Sequence, residues 1–385
     1  MISAAVTKTL APTFTYRTAT LGITLAAGRV PRRLVLKNFR SISTRSSSKS
    51  SSAEQLDFAA ASSQTDAAKS SNLTKPGPAS TLPPKDFRGD WMLFHPVYSP
   101  DELTAVKVLH RKPENLGDKV AFGLVMFARK MFDIVVGYKH PKGPPPPNAT
   151  IDELRKLGYT FSEKQWLIRI FFLETIAGVP GMVAATIRHL QSLRLMRRDN
   201  GWIHTLLQEA ENERMHLMTF MTLSKPSFFM RFLILGAQGV YYNLFFLSYL
   251  MSPRICHRFV GYLEEEAVLT YTRCIADLEA GKIPEWYVDN VPAPEIAIDY
   301  WRMPPKSTLL DVLYAVRSDE TTHRFVNHSL ANLNTSTDVN PFALREPDMH
   351  VKGGKIEFTR GEADEYVSQG NNVLDKEKAS SKKND

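Results

Sequence analysis

Residues 206–217, LLQEAENERMHL, decide how the chain is read, because strong helix formers there set Glu213 and His216 three positions apart. Three residues turn a helix by about 300° and climb roughly 4.5 Å, so the carboxylate and the imidazole share a face and can grip one metal ion. The same Glu-x-x-His spacing returns at Glu320 and His323, within RSDETTHR. Two other helical stretches each bring a glutamate, Glu174 in FFLETIAGVPG and Glu264 in GYLEEEAVLTYT. The steps between 174, 213, 264 and 320 are 39, 51 and 56 residues, each enough for one helix and its connection. Glu, Glu-x-x-His, Glu, Glu-x-x-His is the ligand order of di-iron and di-manganese carboxylate bundles, so the expected fold is all-α, a ferritin-like four-helix bundle. Two imidazoles and four carboxylates make a hard, oxygen-rich site that suits iron or manganese, although these ligand types alone do not exclude zinc.

The runs LETIAGVPGM, EAENERMHLM, RFVGYLEEEAVLTYT and DETTHR, spread over 173–324, resemble the four signature boxes of the alternative oxidases, membrane-bound di-iron ubiquinol oxidases of mitochondria. The resemblance covers roughly 90–333. It implies two iron ions per chain on Glu174, Glu213, His216, Glu264, Glu320 and His323. It also implies a quinol pocket at Arg129, Asp133, Arg169, Leu173, Ala267 and Thr270. Arg129 and Asp133 stand four residues apart on one helical face, a spacing that suits an ion pair at the pocket mouth.

Which glutamate of 264–266 faces inward follows from phase. Tyr271 lies seven residues beyond Glu264, about 700° or within roughly 20° of the same face. The resemblance places an essential tyrosine at this position, which makes Tyr271 the catalytic candidate; the alternative is a core tyrosine whose hydroxyl bonds a neighbour. Asn212 and Asp319, each next to a ligand, are candidates to orient the histidine rings by hydrogen bonding.

Outside the boxes, composition divides the chain. Between positions 1 and 53 there are nine Lys or Arg and no Asp or Glu, with abundant Ser and Thr. That is the make-up of a mitochondrial or plastid transit peptide, assigned to 1–45, with cleavage near Phe39-Arg40-Ser41 or Thr44-Arg45-Ser46. Removing those nine charges from the formal +8 leaves about −1 for the rest, so the basic balance belongs mostly to the leader, which holds eight of them, and nucleic-acid binding loses its support. Residues 46–89 read as a disordered arm rich in Ser, Ala and Pro, 90–333 as the oxidase domain, and 334–385 as a polar, flexible tail.

Two segments bear on the membrane. Residues 116–138 are apolar nearly all round yet carry Lys119, Arg129, Lys130 and Asp133, too many charges for a span. Residues 232–251 form a charge-free run long enough to cross a bilayer. A crossing there would start the flanking Glu213 and Glu264 helices on opposite faces of the membrane, and they would meet only inside it. The segment is therefore expected to lie along the bundle in the bilayer interface, with Gln238, Tyr242 and Asn243 making polar contacts. Cys256 and Cys274 would be about 27 Å apart on one helix, beyond disulfide reach.

The resemblance implies a monotopic enzyme on the matrix side of the mitochondrial inner membrane, a cyanide-insensitive ubiquinol oxidase that reduces O₂ to water without pumping protons. The resemblance implies a homodimer, for which the apolar faces around His189 and Leu193 are candidates. A plastid-type quinol oxidase and a ferritin-like iron-storage bundle are the rival readings.

Overall fold

The structure, a computed structural model, describes residues 95–381 apart from 96, 137, 139, 140, 142, 288–290 and 344. The leader and arm expected over 1–89 lie outside the described residues. Four long helices carry the fold: α4 (Glu163–Leu195), α5 (Trp202–Ser224), α7 (Pro253–Glu279) and α10 (Leu309–Leu330). α4 packs most closely on α5 and α7 on α10, and each pair supplies one lone glutamate and one Glu-x-x-His. Among the described residues there is no strand, only an isolated bridge between Pro292 and Thr308. The chain is all-α.

Local chemistry sets the helix starts. Ser162 accepts from Gln165 N–H while the Gln165 side chain accepts from Ser162 N–H, a capping box that opens α4. Ser252 caps α7 with Pro253 in the first turn, where a missing N–H costs nothing. At two crossings the helices come so close that only glycine fits. A Cβ on Gly181 would stand 2.6 Å from the Leu206 carbonyl oxygen on α5, and one on Gly261 would stand 2.6 Å from His328 Nδ1 on α10.

Shorter elements surround the bundle. α1 (Pro100–Thr104) touches α10, and α2 (Leu116–Val136) packs on α7; α3 (Ile151–Leu157) follows the proline run. α6 (Phe228–Met251) lies against α4 and α7 and buries Phe245 and Tyr249 there. Most of its surface stays exposed, from Phe228 at 88% through Leu235, Val240 and Leu247. Gln238 donates to the Thr175 carbonyl and Asn243 to the Gly239 carbonyl, the latter within α6 itself. On α2 the exposed residues Leu116, Val120, Leu124, Phe127, Met131 and Ile134 recur every three or four positions, an apolar stripe on one helix face. α8 (Pro284–Tyr287) and α9 (Glu295–Trp301) bring Trp286, Tyr300 and Trp301 into the core beside Tyr271, Cys274 and Val316. Cys256 and Cys274 are free and buried.

The segment expected to be a flexible tail is packed for much of its length. Phe342, Phe358 and Ala363 are buried in one cluster with Trp202, Phe325 and Leu330. α11 (Met349–Gly354) lies on α10, and α12 (Arg360–Ser381) follows. A few apolar residues in polar text are enough to dock a chain when a pocket of aromatic rings awaits them. Arg111 and Arg258, both joined to Glu357, tie this segment to the residues before α2 and to α7.

Candidate metal centre

The six residues expected as ligands converge inside the four long helices. Glu174 comes from α4, Glu213 and His216 from α5, Glu264 from α7, and Glu320 and His323 from α10. All are buried, Glu213 at 1% and His216 at 0% exposure. Their donor atoms fall into two groups, Glu174, Glu213, His216 and Glu320, and Glu213, Glu264, Glu320 and His323, each with atoms within 4.8 Å of one another. Glu213 and Glu320 belong to both groups, the placement a carboxylate needs to bridge two ions. His216 Nδ1 stands 3.4 Å from Glu174 and from Glu320; His323 Nδ1 stands 2.6 Å from Glu213.

Without metal this would be an expensive arrangement. Glu174 Oε2, both Glu213 oxygens, Glu320 Oε2, His216 Nδ1 and His323 Nδ1 are buried and, though they lie within ion-pair reach of one another, none of them makes an aligned hydrogen bond. Such orphaned groups cost about 1–3 kcal/mol each, more when charged. Burial, then the neighbouring carboxylates Glu320 and Glu213, push the Glu264 carboxyl well above its ordinary range. Burial lifts Glu174 to about 8, opposed by the His216 imidazole. Burial would raise Glu213 also, but the His323 and His216 imidazoles pull it below the usual carboxylate range. Cations between the oxygens would relieve both the repulsion and the missing partners, so these residues fit two metal ions.

Around this cage stands a shell of donors. His216 turns Nε2 to Asp319 at 3.0 Å, and Asp319 also accepts from Tyr98 (2.5 Å), Asn212 (2.9 Å) and Trp301 (2.9 Å). Burial opposes ionisation of Asp319, yet His95 and His216 hold its carboxyl well below the usual range. The Trp301 ring stacks on His216 at 5.8 Å between centroids. Asn212 and Asp319 were legible as neighbours of ligands; His95, Tyr98, Tyr300 and Trp301 were not. Two turns beyond Asp319 on α10, Asn327 donates to Glu209 (2.8 Å) and faces His257 Nδ1 with its carbonyl oxygen (3.0 Å). Burial lifts the Glu209 carboxyl to about 7.

Tyr271 lies on the cage side of α7 as its phase requires, and its hydroxyl donates to Glu174. Burial first, and then the Glu174 charge, raise its pKa well above that of a free tyrosine. Glu265 points elsewhere, accepting from Arg111 N–H (3.0 Å) and lying 2.6 Å from His110 Nδ1 and 2.9 Å from His328 Nε2.

The expected pocket residues sit where α2, α4 and α7 meet, but Arg129 and Asp133 do not pair with each other. Arg129 reaches Glu266 on α7 at 2.6 Å, while Asp133 reaches Arg169 on α4 at 3.4 Å. The i, i+4 spacing would allow their pairing, yet each finds a partner on the helix it packs against. Thr270 is buried, and Leu173 and Ala267 are half-buried. A cavity of about 380 Å³ reaches Glu174 and Glu213 from beside α6, lined also by Met182, Leu235, Gln238 and Tyr242; the six expected residues do not line it.

Residues 98–332 match the family model described as alternative oxidase. A protein of Cryptococcus neoformans var. grubii named "Alternative oxidase, mitochondrial" is 57% identical over 283 residues, 72% of this chain and 70% of the relative. Proteins of the same name from Emericella nidulans and Aspergillus niger are 56% identical over 255 residues and 53% over 265. Those alignments cover 66% and 69% of this chain, and 69% and 72% of the relatives. A cage of six buried ligand-type side chains, in a match that spans most of the bundle, has one reading: the chain belongs to the alternative oxidase family.

Proposed function

We propose that the chain oxidises ubiquinol and reduces O₂ to water at a pair of irons held by Glu174, Glu213, His216, Glu264, Glu320 and His323. The observation that carries the reading is the pair of buried donor groups sharing Glu213 and Glu320, in which Glu174 Oε2, both Glu213 oxygens, Glu320 Oε2 and the two imidazole Nδ1 atoms crowd together without an aligned hydrogen bond. Hard carboxylate oxygens with one imidazole for each ion suit iron. When bound, the irons supply the redox step that carries electrons from quinol to O₂. Two quinols deliver four electrons and four protons, and one O₂ takes both up as two waters.

The protein's own groups have separate tasks. Asp319 fixes the His216 ring from behind through Nε2, so that Nδ1 stays turned to the cage. Tyr271 holds its proton on the hydroxyl at Glu174 and is the residue placed to give an electron and a proton during turnover. Arg129, Asp133, Arg169, Leu173, Ala267 and Thr270 form the quinol pocket, with the Asp133–Arg169 contact closing one wall.

The apolar stripe of α2 and the exposed side of α6 support attachment in one leaflet of the mitochondrial inner membrane, facing the matrix and crossing nothing. The exposed apolar side chains Leu190 and Leu193 next to His189 support a homodimer through α4. The relatives' names speak for mitochondria over plastids, and the family match speaks against an iron store.

Oxygen uptake by membranes containing the full chain, supplied with ubiquinol in the presence of cyanide, tests the proposal. Persistent quinol-dependent uptake is expected. Its absence from iron-loaded protein overturns the reading.

A further inference from the structure

The cage adjoins two cavities of opposite character. The one beside α6 is lined mostly by apolar and small side chains. The other, about 390 Å³, reaches His323, Asp319, Asn212 and Glu209, and its outer wall is made by residues before α1 and by the packed C-terminal segment. Six carboxylates line this second cavity against two basic side chains, Arg345 and Lys352, and Lys352 is already bound to Glu346 at 3.0 Å.

A ferrous ion arrives as a hydrated dication, and carrying it through apolar surroundings would strip its water without replacement. The acidic cavity attracts it and offers oxygen along the way. Glu209 lies one helical turn before Glu213 on α5 and so shares its face. It is buried, and one of its oxygens is taken by Asn327. Asn212, three residues on, lines the same cavity and keeps Oδ1 buried with no partner. The Glu209 carboxylate, Asn212 and the ligand His323 thus all line this one cavity.

We propose that this polar cavity is the iron port, through which hydrated Fe²⁺ enters and is handed across Glu209 and Asn212 Oδ1 to the cage ligands. The proposal rests on the di-iron reading of the site. It concerns assembly of the centre, so it is read in metal uptake and not in turnover.

The test is anaerobic loading of the detergent-solubilised, metal-free full chain with ferrous salt, with bound iron counted over time after a chelator quench. Glu209→Gln keeps the size and the bond from Asn327 but loses the charge. Gln208→Trp narrows the cavity from its exposed wall and keeps the test open should Glu209→Gln not fold. Leu235→Trp narrows the cavity beside α6 and is the control. Expected are the same final iron in all variants, loading slowed about tenfold or more in the first two, and wild-type loading in the third. Full final iron with any other pattern of rates overturns the port alone. Wild-type protein that takes up no iron overturns the port and the di-iron reading together.

Discussion

Glu264 and Glu265 are consecutive on α7, both buried, at 3% and 8% exposure, and they live in opposite surroundings. Glu264 faces other carboxylates; burial first, and then Glu320 and Glu213, raise its pKa. Glu265 faces donors: the Arg111 amide, the His110 ring and the His328 ring. Beyond it Arg111 and Arg258 share Asp118 and Glu357 in a closed network. A turn of about 100° separates a carboxylate buried among other carboxylates from one whose charge the protein meets with donors. Burial alone does not mark a functional carboxylate; burial against other carboxylates does.

The sharpest way to break this comparison is to remove a group from the side crowded with carboxylates. Glu213→Ala should abolish quinol oxidation and drop iron from about two per chain to near zero, because both ions lose a shared ligand. Iron that survives at full content would remove Glu213 from the cage.

Tyr271→Phe comes next. It keeps the ring packed against Phe220 and removes only the hydroxyl on Glu174. A hydrogen bond of that kind is worth roughly 0.5–1.5 kcal/mol of stability, so the fold and the iron should remain. Turnover should fall about 100-fold or more if the hydroxyl carries a proton in the reaction. Near-normal turnover with full iron would return Tyr271 to the core.

On the satisfied side, Glu265→Gln should leave iron in place and lower stability by roughly 2–3 kcal/mol, the scale of one or two hydrogen bonds to a charged group. Loss of iron with unchanged thermal stability would mean that the two glutamates have been assigned to the wrong sides.

How much of this was readable in the chain follows from how local each cause is. The Glu-x-x-His pairs and the shared face of Glu264 and Tyr271 need only helical geometry, while the resemblance supplied which face is inward; the structure places those residues together. His95 and Tyr98 reach Asp319 from more than 200 residues away, and no periodicity announces that. Arg129 and Asp133 invited pairing within α2, but the neighbouring helices offered Glu266 and Arg169. Phe342 and Phe358 are isolated apolar letters in a polar stretch, and only the aromatic cluster that receives them gives them meaning.

His257 gives the smallest effect and the finest test of the satisfied side. It lies seven residues before Glu264 on α7, with Nδ1 on the Asn327 carbonyl oxygen and Nε2 at 3.2 Å from the Tyr249 hydroxyl. Both ring nitrogens are served when the ring is neutral: Nδ1 donates and Nε2 accepts. Burial pushes its pKa down to about 4, and the nearby Arg188 and Arg258 charges also oppose a proton. Because the folded value lies below the unfolded value of about 6.5, the unfolded chain binds the proton first as pH falls. The contribution to stability is therefore complete above about pH 6.5 and is lost as pH falls towards 4. Between pH 7 and pH 5 this one ring should account for about 2 kcal/mol of lost stability. His257→Gln can still donate to Asn327 and accept from Tyr249 but does not titrate. Thermal unfolding of metal-free wild type and variant at both pH values isolates the ring, because titrations common to the two proteins cancel. A decline of equal size in both would mean that His257 takes up its proton in the folded protein without penalty, and the network around it would then be less closed than its hydrogen bonds indicate.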